Sequence, residues 1–322
     1  MIVGSPHGWL VTADARSELH LLNPATGDQL SLPSVTTIEQ VTPVFSDAGD
    51  LQRYDLSYYD ATLPRKEYNP PKPYAVDRLR RSLYFKVVLS CDPSSSNGDG
   101  DCVLMMIHNP YRQLSFARLG TDHQWHWVTT SFRHSKYSDC IYHDGAFYAM
   151  NRQGGIHRYT IQGSCSTLDI IFKDTLPYTP AYNMYIARTM CGDVLQIFRI
   201  TSESGESLET HTDATQVYKV DFDKQDIVEE IDDTLLMKDN ALFIGHSYSS
   251  CFPTEDYPSL RANHVYFTDD DEYSLMEDSD NPRDVGVYNL EDDSVAGVVS
   301  PQPWLNWPNP IWIVPSFTKI DK

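Results

Sequence analysis

"CIYHDGAFYAM", residues 140–150, sets two short apolar runs on either side of Asp144-Gly145. An Asp-Gly pair supplies the two positive φ angles of a type I′ hairpin, whose twist matches that of its flanking strands. The stretch therefore predicts strand, tight turn, strand. IARTMCGDVLQIFRI (186–200) repeats the pattern around Gly192-Asp193, and TLLMKDNALFIGH (234–246) repeats it around Asp239-Asn240. Elsewhere, strand-like runs rich in Val, Ile, Tyr and Phe alternate with Gly, Asp, Asn and Pro clusters, and the chain reads as poor in helix.

The second strands of these units are predicted to begin near Glu18, Cys102, Ala146, Val194, Ala241 and Val285, at intervals of 84, 44, 48, 47 and 44 residues. If the first interval is doubled, the mean is about 44. A period of roughly 40 to 50 residues built from short strands is that of propeller blades, which bury their faces only by packing on one another. The expected fold is all-β: a single β-propeller over 1–322 with six or seven antiparallel four-stranded blades and an incomplete first blade. Residues 34–72 read as a degenerate blade or an insertion, and 300–316 as a closing segment. A β-sandwich pair is the alternative. No Trp-Asp dipeptide marks WD repeats, and Gly-Gly occurs once, at Gly154-Gly155, where a kelch ring repeats it in each blade.

Apolar residues make up 41% of 322 and aromatics 12%, enough to fill a core. The longest apolar runs, such as Val103–Ile107, are too short to span a bilayer, and the N-terminus lacks the basic and apolar regions of a secretory signal. A soluble intracellular protein, of cytoplasm or nucleus, is the expectation. The formal charge of −20 repels phosphate backbones, which argues against nucleic acid as a partner and favours a basic protein surface. One basic island, Lys72 to Lys86, reads as a solvated face, with a docking patch or nuclear address as the sharper alternative. Six irregularly spaced cysteines suggest neither a zinc ribbon nor a disulfide framework.

Several phrases together carry a resemblance. They are GSPHGWLVTADARSELHLLNPATGDQLSLP (4–33), VLMMIHNPYRQLSFARLG (103–120), CIYHDGAFYAMNRQGGIHRY (140–159), NALFIGHSYSSCF (240–252), YPSLRANHVYFTDD (257–270), DVGVYNLEDDS (284–294) and SPQPWLNWPNPIWIVPS (300–316). The chain resembles the plant KIB-type β-propeller family, an F-box-associated domain of unknown function. The resemblance implies a propeller that holds another protein, in F-box members as the substrate-recruiting half of a ubiquitin-ligase adaptor. Nothing before Gly4 encodes an F-box here, so the expectation is a member without one, and Skp/cullin coupling is not assumed.

Candidate chemistry is sparse. The acidic run from Asp269 through Asp284 offers oxygens for calcium, but Pro282 stands where an EF-hand wants a ligand, and the turn glycine is missing. His123/His126 and Cys140/His143 have the spacing of zinc-ligand pairs without a second pair. Gly245-His-Ser247-Tyr-Ser249 resembles a serine elbow but lacks its second glycine, and no phosphate-binding glycine loop occurs. No catalytic, cofactor-binding or metal-binding residue is assigned, and no cofactor is expected. Trp125, Trp127 and tyrosines are candidate contacts for a partner. Trp304, Trp307 and Trp312 sit among prolines, where burial as structural closure outweighs exposure as a proline-rich ligand. The expected function is a non-enzymatic protein-interaction propeller. The alternatives are a propeller hydrolase or metal-dependent enzyme with a scattered channel site, and a truncated product of no settled role.

Overall fold

The computed structural model describes residues 1–59, 70–94, 102–128, 136–174, 182–203, 210–224, 226–227, 233–269, 283–298 and 310–318. Among them six small sheets follow one another along the chain. The first holds β1 (Ile2–Gly4), β2 (Leu10–Ala13), β3 (Leu19–Leu22) and β4 (Gln29–Ser31) in sequence order. Its four strands correct the expectation of an incomplete first blade, because Ile2–Gly4 supplies the outer strand and the Ala13 amide donates to the Met1 carbonyl at 2.8 Å. The second sheet is three-stranded, from β5 (Val41–Phe45), β6 (Leu51–Leu56) and β7 (Lys72–Ala75). Pro43 and Pro73 both fall on its outer strands, where a missing N–H breaks no ladder.

The third sheet runs β8 (Tyr84–Leu89), β9 (Val103–His108), β10 (Gln113–Arg118) and β11 (His126–Trp127). In the fourth, β12 (Tyr137–His143) and β13 (Ala146–Asn151) precede β14 (Ile156–Gln162) and β15 (Cys165–Phe172). The fifth takes β16 (Tyr182–Arg188), β17 (Val194–Glu203), β18 (Thr210–Asp221) and β19 (Asp226–Ile227). The sixth contains β20 (Asn240–Ile244), β21 (Ser250–Pro253), β22 (His264–Phe267), β23 (Gly286–Asn289) and β24 (Val295–Gly297), in the order β21-β20-β22-β23-β24. Two short helices, α1 (Leu79–Leu83) and α2 (Asp233–Leu236), complete the elements used here.

The hairpin at Asp144-Gly145 forms as its sequence dictates, with φ of 45° and 76°. The Gly192 turn is longer: Thr189 to Asp193 closes as a loop in which Gly192 alone has positive φ, at 93°. The run before Asp239 is corrected from strand to helix, because Asp233–Leu236 forms a helical turn and Asn240 then begins β20. All six predicted strand starts lie within one residue of an observed one, but they are not equivalent positions. β3 is the third strand of its sheet, whereas β20 and β23 share one sheet through the parallel β20–β22 pair. The last 44-residue interval is therefore internal to one blade. A two-layer sandwich pair would need fewer, larger sheets than these, and that alternative falls.

The chain divides into two compact units. One comprises Met1–Tyr137, Thr160–Leu168 and Ile313–Lys322, the other Ser138–Tyr159 and Asp169–Trp312. In the first, Trp9, Val11, Leu21, Leu83, Val87 and Met106 are fully buried in one apolar cluster. Among the described residues of the second, one cluster gathers around Leu195, Ile197, Leu242 and Phe267, and another around Met150, Ile156, Phe172 and Ile186.

Candidate interaction surface

The first unit gathers tyrosines where β6, β7 and the β9–β10 turn come together. Tyr54 on β6 is buried and donates its hydroxyl to the Arg16 carbonyl at 2.8 Å, while its cross-strand partner Tyr74 packs its ring on the core. The Tyr74 hydroxyl reaches outward to the Tyr58 hydroxyl, 2.8 Å away. Tyr58 is 37% exposed, and its phenol is held well above its usual pKa by partial burial, then by the bond to Tyr74 and the nearby Tyr74 and Tyr111 phenols. The Tyr58 hydroxyl therefore stays protonated, able to donate as well as accept. The Lys72 ammonium lies 5.2 Å from the centre of the Tyr74 ring.

The neighbouring turn, Asn109 to Arg112, is held from several sides. Its Asn109–Pro110 peptide is cis. The Asn109 amide donates to Leu83 O at 2.7 Å, and its side chain donates to Ser82 O at 3.0 Å. Gln113 Nε2 donates to Pro110 O at 2.8 Å and to Tyr59 O at 3.2 Å, which ties the turn to the segment after β6. Tyr111 and Arg112 both sit in the left-handed region, at φ of 68° and 50°, which non-glycine residues rarely occupy. The Arg112 guanidinium lies 3.8 Å over the Phe85 ring. Beneath the turn, His108 is fully buried between Asn109 O (3.0 Å) and Ser115 Oγ (2.9 Å), and burial lowers its pKa to about 4. It is a neutral strut at physiological pH.

Of the tryptophans expected to contact a partner, Trp125 is a correction. It is 5% exposed, and its indole N–H donates to Pro33 O at 3.0 Å, so it belongs to the core. Trp127 is half-buried against Tyr59, ring centres 5.6 Å apart, and its Nε1 has no hydrogen-bond partner among the described residues. Nor is the basic island simply a solvated face. Lys86 is buried, and Arg80 donates to Ala13 O at 3.1 Å, leaving Lys72 and Arg78 as its exposed cations.

The candidate metal pairs are not brought together. His126 stacks on Phe116 and faces Asp122 at 3.5 Å, while His123 is exposed. Cys140 is buried, whereas His143, an odd number of residues along the same strand, accepts Arg188 Nη1 at 3.0 Å. Among the described residues no three His, Cys, Asp or Glu side chains gather as a metal would require.

In the second unit the serines are structural. Ser247 Oγ faces Trp312 O at 3.5 Å, and Ser249 Oγ donates to Asp139 Oδ2 at 2.9 Å. The buried Asp139 also accepts the Ile186 amide at 3.1 Å, so one carboxylate bridges β12, β16 and the start of β21. Of the acidic run, 270–282 lies outside the described residues. Its two flanks are ion-paired: Asp269 with Arg283 at 3.8 Å, and Asp284 with the fully buried Arg199 at 2.7 Å. Trp304 and Trp307 likewise lie outside the described residues. Trp312 donates its indole N–H to Ile244 O at 3.0 Å and meets Phe243 edge-on, ring centres 5.0 Å apart.

Sequence reasoning missed Tyr58, Tyr74, Tyr111 and Arg112. The available signal was the Tyr58-Tyr59 doublet and the Asn-Pro-Tyr-Arg turn, but only the fold brings them side by side.

Small, mostly four-stranded antiparallel sheets repeated along the chain are the blades of a β-propeller. The chain belongs to the KIB1-4 beta-propeller family, which it matches over residues 1–289. It is 22% identical over 281 residues to the F-box protein KIB4 of Arabidopsis thaliana, a match covering 85% of this chain and 64% of that protein. The chain thus spans just under two-thirds of its curated relative. Among solved structures it is similar to virginiamycin B lyase from Staphylococcus aureus, at 13% identity and a TM-score of 0.26, covering 65% of this chain and 68% of that one. A chain of an S. cerevisiae complex of Dbp5 with Nup159 and Gle1 gives 13% identity and a TM-score of 0.29, covering 92% and 75%. Likenesses at these TM-scores carry no argument about function. Among the described residues no helix is long and apolar enough to cross a membrane.

Proposed function

We propose that this chain is a non-enzymatic protein-interaction propeller that takes its partner on the Tyr58–Tyr74–Tyr111 face of the first unit. The supporting observation is the phenol pair joined at 2.8 Å, with Lys72 and Arg112 held on neighbouring aromatic rings. Tyrosine and arginine are the residues on which binding energy concentrates at protein interfaces. The chain's net charge of −20 would steer a basic partner, but physiological salt screens that field over about 8 Å. At this face the exposed Lys72 ammonium lies beside the Tyr74 ring, so the face suits a partner that sets a carboxylate beside an apolar anchor.

The test is co-purification of the tagged chain from plant extract alongside Tyr58→Ala and Tyr111→Ala variants, with melting temperatures measured on each. A partner on this face is lost by about tenfold from folded variants, the effect of removing a contact worth about 1.4 kcal/mol. An unchanged captured set overturns the assignment. A tagged F-box-bearing relative run in parallel tests the finer reading of a ubiquitin-ligase adaptor. Skp and cullin subunits recovered with both baits support it, and recovery with the relative alone makes this chain a free-standing binding module.

A further inference from the structure

We propose that Cys91 and Cys102 are a thiol pair that forms a disulfide at the loop end of the β8–β9 strand pair. All six cysteines are free thiols in the structure. The register of β8 and β9 pairs Leu89 with Leu104, and the Ser90 amide donates to Val103 O at 2.9 Å. One step further, Cys91 therefore stands directly opposite Cys102. The Cys102 carbonyl accepts from the Leu119 amide at 2.8 Å, so its backbone faces away from Cys91 and the two form a non-hydrogen-bonded pair. Such pairs place their Cα atoms about 4.5 Å apart, inside the range of about 4.4 to 6.8 Å that disulfides span.

The side chains agree with the backbone. Cys102 Sγ lies 3.3 Å from the Cys91 carbonyl oxygen, and a hydrogen bond to the Cys91 side chain, reinforced by burial, holds the Cys102 thiol well above its ordinary pKa. Cys102 is buried while Cys91 is half-exposed, which assigns the order of events. A peroxide oxidises the Cys91 thiol to a sulfenic acid and leaves as water. The Cys102 sulfur then attacks the Cys91 sulfur, displacing a second water as the S–S bond forms. Overall two thiols lose two protons and two electrons, and one peroxide becomes two waters.

Asp92, adjacent to Cys91, accepts Trp9 Nε1 and Ser316 Oγ, each at 3.2 Å. The bond would thus fix the residue that holds both the segment before β2 and the last described segment of the chain.

The experiment exposes the reduced full chain to hydrogen peroxide, then alkylates remaining thiols under denaturing conditions and maps peptides by mass. The expected product is a Cys91–Cys102 cross-linked peptide, two hydrogens lighter than its parts and returned to free thiols by dithiothreitol. The Cys102→Ser variant should leave Cys91 as sulfenic or sulfinic acid, and Cys91→Ser should leave Cys102 alkylatable. Either variant serves if the other fails to fold. Oxidised Cys91 beside a still-alkylatable Cys102 in the unmutated chain overturns the proposal.

Discussion

The side-chain amide of Asn23 donates to the backbone carbonyl of Ser316 at 3.1 Å, joining positions 293 residues apart in the chain. Asn23 is fully buried, and its Oδ1 accepts the amides of Ala25 and Thr26, so one side chain both closes a turn and seats a distant segment. Gly8 completes that seat. It adopts φ of +81°, and a Cβ there would lie 2.4 Å from Ser316 N and 2.6 Å from Val314 O. Only glycine allows the segment to approach so closely.

Gly8→Ala is therefore expected to combine backbone strain with a clash against main-chain atoms, costing about 3 kcal/mol. Asn23→Ala, which removes the donor to Ser316 and two acceptor contacts, should cost about 2 kcal/mol. Chemical denaturation measures both. Limited proteolysis distinguishes unseating from general destabilisation: Gly8→Ala should speed cleavage within 310–318 while cleavage elsewhere lags. Uniformly faster cleavage would contradict the seat.

A second relationship lies in the other unit. Arg199 donates Nη2 to Asp284 Oδ2 at 2.7 Å and Nε to Thr212 Oγ1 at 2.8 Å, and its guanidinium packs 4.9 Å from the Phe267 ring centre. Removing one member of a buried pair strands the other charge away from water. Arg199→Met should lose about 3 to 5 kcal/mol, and the double variant Arg199→Met/Asp284→Asn should recover part of that loss. Denaturant midpoints of the four-member cycle give the coupling, and additive losses would mean that the pair contributes no coupling.

Much of this was legible in the sequence, and the parts that were not have physical causes. Asp144-Gly145 fixes its hairpin because two consecutive positive φ angles leave few alternatives, and the strand starts followed from the same turn chemistry. Blade membership was hidden, because β20 and β23 carry the same turn-then-strand pattern as β9, β13 and β17, which lie in three separate sheets. The segment Asp233–Leu236 read as a strand because four residues are too few to show a period. The tyrosine face was illegible for another reason. Tyr58, Tyr74 and Tyr111 belong to three separate elements, and nothing local marks them as neighbours. Trp125 misled in the opposite sense: its indole looked like a contact for a partner until Pro33 O proved to be its acceptor.

His108 predicts a pH dependence with a definite sign. The unfolded chain protonates this imidazole near its ordinary pKa of 6.5, whereas the folded chain does so only near about 4. Between those values protons favour the unfolded state, so stability is full above pH 6.5 and falls as pH drops through the window. The gap between the two corresponds to at most about 3 kcal/mol by pH 4. Burial lowers His7 and His157 as well, in the same direction, so the informative measurement is differential. Denaturant midpoints of His108→Gln should vary less steeply between pH 7 and 4.5 than those of the unmutated chain. Equal slopes would remove His108 from the account.

Tyr111 and Arg112 keep a left-handed backbone that glycine would adopt without cost, which makes the turn a place where stability and binding can be separated. Tyr111→Gly relieves the strain at φ of 68° but removes the ring, while Arg112 remains over Phe85 and Gln113 still grips Pro110 O. If the strain is retained to present that ring, the variant should be as stable as the unmutated chain or up to about 1 kcal/mol more stable. Partner capture should nonetheless fall about tenfold, as for loss of a binding hot spot. Thermal melting and quantitative co-purification on the same preparation read both quantities. Lower stability with capture intact would make Tyr111 a packing residue and move the interaction surface elsewhere. Raised stability with capture lost would show that the chain keeps a strained turn for the sake of the side chain it displays.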